Sequence, residues 1–328
     1  RKPILHQRAS NWYEENGFSE EAIEHAFSAG DHKRAAELIE ASAESILMQS
    51  QVTTLRSWIR RLPSDELTAR PALSVYYAWV LLWSGAPLET IDAHIRISAS
   101  RESHSVQALP LKAFLEINNG NVLEALRLSQ LAIEQLPEGD QLLRSLACFI
   151  LGSCQLALGQ TEDGISILEK TARTSQQAGN IMIAVLILCQ LGDETMKLGH
   201  LRRAQQIYQQ ALELAVDEDG RHLPVAGKAL IGIGDLQREW NHLADAEETL
   251  AKGITWAEQW SILGSFEGYI NLAMVKDAQG EHQSGDALLW KVQDLAFQFD
   301  ASEVDDYIVE MFAARRNIIL GDLDAVEA

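Results

Sequence analysis

Residues 151–164 read LGSCQLALGQTEDG, and the placing of their glycines decides the fold. A small residue, Gly152, is followed seven positions on by Gly159 and five further by Gly164. The same spacing returns as Gly192, Gly199, Ala204, then as Gly234, Asn241, Ala246, then as Ala273, Gly280, Gly285, and upstream as Ala113, Gly120, Ala125. Weaker echoes stand at Ser10, Gly17, Ala22, at Ala78, Gly85, Thr90, and at Ala314, Gly321, Val326. A spacing that recurs about every forty residues marks a repeat array rather than a domain with one central core.

Helices supply the physics of the spacing. The first small residue lies where a partner helix crosses closely, the middle one ends its helix at a position needing positive φ, and the third sits in the next helix opposite the first. Apolar residues precede the first small one (Leu151, Leu191, Ile233, Leu272) and lie four before it (Cys148, Leu188, Leu230, Tyr269), while Leu168, Tyr208, Leu250 and Leu289 share one position of the second helix. Each unit is a hairpin that cannot cover its own apolar faces, so the units must stack. The expected fold is all-α, a right-handed superhelix of antiparallel helix pairs.

The opening is less regular. Ser19 is expected to cap a helix with Glu20 and Glu21 in its first turn, Gly30-Asp31 to end that helix and cap the next, Pro63 to stop a helix, and Pro71 to start one. Residues 1–70 therefore read as short hairpins and residues 71–328 as the long repeats.

A length of 328 residues fits two domains, but repeats grow along one axis, so one elongated array is the better reading. A formal charge of −20 repels phosphates and leaves no basic stripe, which argues against direct nucleic-acid contact and against an anionic membrane surface. The three cysteines, Cys148, Cys154 and Cys189, have no metal-ligand or paired spacing and read as small core residues in a reducing cytosol. No signal peptide opens the chain, and the longest apolar run, 181–189, is half the length of a membrane span. Its β-branched content would suit a buried strand, but Leu188, Leu191 and Gly192 fall on first-helix positions and overrule that. No methionine precedes Arg1, and the chain reads as a piece of a longer protein.

Chemistry-bearing motifs are lacking. The nearest approach to a Walker A loop, Gly220 to Gly227-Lys228-Ala229, has six residues between its glycines and no hydroxyl after the lysine. Gly232 and Gly234 form a GxG with no preceding strand, and close helix packing accounts for them. Glu247-Glu248 and Asp305-Asp306 are adjacent along a helix and point apart, so neither makes an acid–base dyad. No enzyme, no metal site and no cofactor is expected.

The register resembles the tetratricopeptide repeat, with Leu191-Gly192, Gly199 and Ala204 at its signature positions. It departs from that pattern in its longer units, in the missing closing proline, and in having Gln155, Thr195, Gln237 or Lys276 where an aromatic is usual. The opening is more specific. Leu5, Arg8, Ala9, Trp12, Tyr13, Glu15, Asn16, Gly17, then Glu21, Ala22, Ile23, His25, Ala26, Gly30, then Arg34, Ala35, Ala36, Leu38, Ile39, with Trp58, Leu62-Pro63 and Pro71, resemble the start of the sensor region in MalT-type ATP-dependent activators, the large LuxR-family regulators. The resemblance runs to about Gly321. It implies a P-loop ATPase before this segment, a helix-turn-helix after it, and a cytoplasmic repeat region that receives an inducer or regulatory protein and helps control self-association.

In tetratricopeptide repeats the first helices line a concave face. By that resemblance the groove-facing columns hold Lys228 and Glu267, then Phe149, Cys189, Ile231 and Ile270, then Ser153, Asp193 and Asp235, then Lys197, Arg238 and Asp277. Apolar groups mixed with both charge signs suit a small polar inducer or a peptide. Met274 occupies the column where peptide-clamping repeats often keep Asn, so a carboxylate clamp is not expected. The alternative reading is a stand-alone scaffold or peptide-sensing repeat protein. Trp12, Trp58, Trp79 and Trp83 near the start, and Trp256, Trp260 and Trp290 near the end, fill hairpin cores or mark interfaces.

Overall fold

A computed structural model describes residues 2–99, 105–217, 219–298 and 314. Among them the chain is all-α, with seventeen helices and no strand, only an isolated bridge between Val216 and His222. The N-terminal helices are α1 (Lys2–Glu15), α2 (Ser19–Ser28), α3 (His32–Met48), α4 (Val52–Ile59) and α5 (Ser64–Thr68). Six helix pairs follow: α6 (Pro71–Trp83) with α7 (Leu88–Ala99), α8 (Leu109–Asn118) with α9 (Val122–Gln135), and α10 (Gln141–Ala157) with α11 (Thr161–Gln177). The last three are α12 (Ile181–Lys197) with α13 (Leu201–Leu214), α14 (Ala226–Glu239) with α15 (Leu243–Ala257), and α16 (Phe266–Ala278) with α17 (His282–Gln298). The 181–189 run is helical, as the register requires. Asp305-Asp306 and the echo at Gly321 and Val326 lie outside the described residues.

The turns are where the spacing placed them. Gly85, Gly120, Gly159, Gly199 and Gly280 have φ between 68° and 83°, and Asn241 takes the same left-handed conformation at 62°. Asp31 caps α3 as expected, its Oδ1 accepting from Arg34 N at 3.0 Å. Ser19 does not cap α2. Phe18 holds that position, with no side-chain hydrogen bond, because its ring packs against Trp12 and Tyr13 and its N–H donates to Tyr13 O; the helix therefore starts one residue early.

Small residues sit at helix crossings. A Cβ on Gly152 would come within 2.7 Å of Leu168, one on Gly192 within 2.5 Å of the Tyr208 ring, and one on Gly234 within 2.6 Å of Leu250. The shared column of the second helix thus packs into the gap left by the small residue of the first, as close packing demands. Gly227, read in sequence as a poor Walker glycine, lies at the α14–α15 crossing, where a Cβ would stand 2.5 Å from Gly253 O. First helices also pack directly on one another (α8 on α10, α10 on α12, α12 on α14, α14 on α16), which makes them the inner row.

The N-terminal helices do more than begin the stack. α3 and the turn after it run along the edge where one hairpin passes to the next, and with the end of α6 they contact successive repeats in order. Glu44 of α3 accepts from Leu142 N at 2.8 Å, at the start of α10. Gln49 Nε2 donates to Gly179 O at 3.1 Å before α12, and Ser50 Oγ accepts from Val225 N at 3.4 Å before α14. Trp83, ending α6, accepts from Ile262 N at 3.0 Å before α16, with its ring 6.4 Å from that of Trp260. Trp58, Trp79, Trp83 and Trp260 are buried, Trp256 is half-buried, and Trp12 and Trp290 are exposed. One apolar core runs from Ala22 to Trp260.

Candidate functional site

The inner row carries a layer of charge. Lys228 of α14 is paired with Glu267 of α16, and its Nζ lies 3.9 Å from Asp193 Oδ2 on α12. One cation therefore ties three consecutive inner helices. Tyr208 of α13 reaches through the gap beside Gly192 and donates its hydroxyl to Asp193 Oδ1 at 2.5 Å. Two to three turns further along α14, Arg238 donates to Asp235 Oδ1 at 2.7 Å and to Glu239 Oε1 at 2.5 Å.

Burial and charge set the protonation of this layer. Burial, with the Glu267 charge, pushes the Asp193 carboxyl up to about 6 against the pull of Lys228 and the Tyr208 hydroxyl. Lys228 goes the other way: burial alone would lower it, but Glu267 and Asp193 outweigh burial and hold its ammonium above the usual lysine range. Burial also raises Asp235, with Arg238 offsetting part of the shift. The result is a set of charges held by one another across three helices.

The other groove residues are placed less uniformly. Ser153 Oγ of α10 is 3.0 Å from both Phe149 O and Gln190 Oε1 of α12, and Phe149 beside it is half-buried against the core. Cys189 does not face the groove. It is fully buried, as are Ile231 and Ile270 of the same column, because that column meets the neighbouring helices; burial pushes its thiol well up. Lys197 is exposed and pairs with Glu194 at 2.7 Å. Asp277 lies at the turn end of α16, 3.3 Å from His282 Nδ1 and away from the Lys228 layer. The structure thus brings together Asp193, Lys228 and Glu267, sets Asp235 and Arg238 beside them, and leaves Lys197 and Asp277 at the rim.

Two features were missed in the sequence. The register marks Tyr208 only as a packing residue, although a tyrosine in a column otherwise filled by leucine brings a hydroxyl to the interior. His6 and His25, on α1 and α2, place their Nδ1 atoms 2.8 Å apart, with no sequence signal linking them. Among the described residues no group of three His, Cys, Asp or Glu is placed to hold a metal.

The fold is shared with solved structures. A Rap protein complexed with competence and sporulation factor superposes with a TM-score of 0.62 at 12% identity, covering 90% of this chain and 85% of that one. The Signal Transduction ATPase with Numerous Domains protein with a tetratricopeptide repeat sensor from Pyrococcus horikoshii superposes with a TM-score of 0.57 at 13% identity, covering 98% of this chain and 50% of that one. This chain therefore spans about half the length of the ATPase it matches. Identities this low speak for the fold alone. The family model for the MalT-like TPR region matches residues 106–328, which take in the five long hairpins from α8 to α17, and the chain belongs to that family.

Proposed function

We propose that this chain is the effector-sensing and protein-interaction region of a cytoplasmic, MalT-type LuxR-family transcription activator, acting by binding and not by catalysis. The observation that carries the reading is the Lys228 ammonium shared between Asp193 and Glu267 across α12, α14 and α16. A small polar inducer, a peptide or a loop of a regulatory protein that takes one of these charges as its own partner changes how three repeats are held together. Such a ligand shifts the array toward the curvature it binds best, by its difference in affinity for the two. Self-association and transcription activation would follow in the intact regulator. The likeness in fold to an ATPase with a tetratricopeptide repeat sensor and to a Rap protein complexed with competence and sporulation factor supports a sensing or interaction role.

A thermal-shift screen against sugars, small metabolites and short peptides, followed by calorimetry, tests the reading. A ligand at a hundred times its dissociation constant stabilises the fold by about 2.7 kcal/mol, well within reach of the assay. A hit that Lys228→Met weakens supports the groove; a library without a hit refutes a small-ligand role and leaves a protein partner. The complete reading frame tests the regulator itself, which requires a Walker A loop upstream and a basic helix-turn-helix downstream. A frame with neither makes the chain a stand-alone scaffold.

A further inference from the structure

The edge opposite α3, where each hairpin turns back on itself, carries a separate feature. Leu158, Leu198 and Trp240 are the C-cap residues of α10, α12 and α14, and each is followed by a residue with positive φ. Because those helices pack side by side, the three side chains form a row with one residue per repeat. Leu158 is 40% and Leu198 63% exposed, and Trp240 is half-buried against the core. Between the second and third lies an open cleft of about 550 Å³, lined by Gly199, His200, Leu201, Arg202, Arg203 and Trp240.

The two arginines are out of keeping with their surroundings. They stand exposed in the first turn of α13, where the helix dipole disfavours cations, while α11 carries Glu162 and Asp163 there and α15 carries Asp245. Among the described residues neither guanidinium meets a carboxylate, although the chain has a net charge of −20. An arrangement that costs local stability without an internal partner is a mark of function.

We infer that this ledge is a docking surface for an acidic protein segment bearing apolar side chains. Carboxylates of the partner meet Arg202 and Arg203, and its apolar residues cover Leu198, Trp240 and Leu158. Arg202 and Arg203 attract such a segment, and the acidic first turns of α11 and α15 on either side confine its carboxylates to the start of α13. A nucleic acid fits less well, since two cations offer little counterion release against the repulsion of the whole chain. The inference does not depend on the inner groove binding anything.

The test uses a fluorescein-labelled peptide with leucine at every third position and acids between, Leu-Glu-Glu-Leu-Asp-Glu-Leu, the same peptide with lysine at each acidic position, and a single-stranded oligonucleotide of similar charge. Fluorescence anisotropy on the whole chain is expected to show binding of the acidic peptide alone, weaker at about 500 mM than at about 50 mM salt because the contacts are exposed. The Arg202→Glu/Arg203→Glu variant should lose about tenfold in affinity, some 1.4 kcal/mol, and Leu198→Asp should weaken binding separately. The melting temperature of the arginine variant should not fall, because acids suit the first turn of a helix, so lost binding is not lost folding. Absence of binding, affinity unchanged by the charge reversal, equal binding of the lysine peptide, or tighter binding of the oligonucleotide would each overturn the inference.

Discussion

Replacing Lys228 with methionine keeps most of the side chain's bulk and removes its charge. The lysine and Asp193 side chains are 20% and 23% exposed, and Glu267 is 43% exposed. Glu267 can therefore rehydrate when its partner is lost, whereas Asp193 is left largely buried with only the Tyr208 hydroxyl. Breaking a fully buried pair costs about 3–5 kcal/mol; with one partner free to reach water, we expect about 2–3 kcal/mol at pH 7.5. The deficit depends on pH. Asp193 already binds its proton more tightly in the folded chain, up to about 6 from an ordinary 3.8, and losing the ammonium raises it further. A carboxyl raised by folding lets stability fall as pH rises between the unfolded and folded values, so the variant should recover as the medium is acidified through that window. Adding Asp193→Asn should recover part of the loss at pH 7.5. Urea melts of the wild type, the single and the double variant at pH 7.5 and 5.5 measure all of this. Unchanged stability at pH 7.5 would mean that solvent screens the layer. A deficit equal at both pH values and untouched by Asp193→Asn would mean that Lys228 contributes only its methylenes.

Gly227→Ala should cost about 1–3 kcal/mol or more in the same melts, because the new methyl meets Gly253 O and the Ala257 backbone, not a side chain able to turn away. A variant as stable as the wild type would place the α14–α15 crossing wrongly. Glu44→Ala removes the acceptor for Leu142 N at the start of α10, a loss of about 1–2 kcal/mol by analogy with helix caps. Hydrogen exchange should then speed up at the first turn of α10 and stay unchanged at α17; equal protection throughout would refute the contact.

Much of the fold was legible from spacing alone, and the reason is local. A left-handed turn needs glycine or asparagine, and a close crossing needs a missing side chain, so Gly152, Gly159 and Gly164 and their counterparts declare helix ends and packing sites within one hairpin. Caps were harder: Ser19 had the chemistry for α2, but the packing of Phe18 on Trp12 and Tyr13 decided where the helix begins. The groove was legible in part. Lys228, Glu267 and Asp193 fell in columns that the resemblance points inward, and they meet; Cys189 fell in such a column and is buried, because the column's direction depends on how neighbouring repeats pack.

The sequence by itself determined the helix pairs, their turns and the small-residue crossings, since each follows from φ preferences and side-chain volume over a dozen residues. Only the tertiary structure decided that Tyr208 would reach Asp193 and that α3 and the turn after it would lie along the edge of the array. The bonds from Glu44, Gln49 and Ser50 join residues 98, 130 and 175 apart. Their meeting depends on the rotation accumulated from one repeat to the next, a sum of small packing angles that no short pattern of residues encodes.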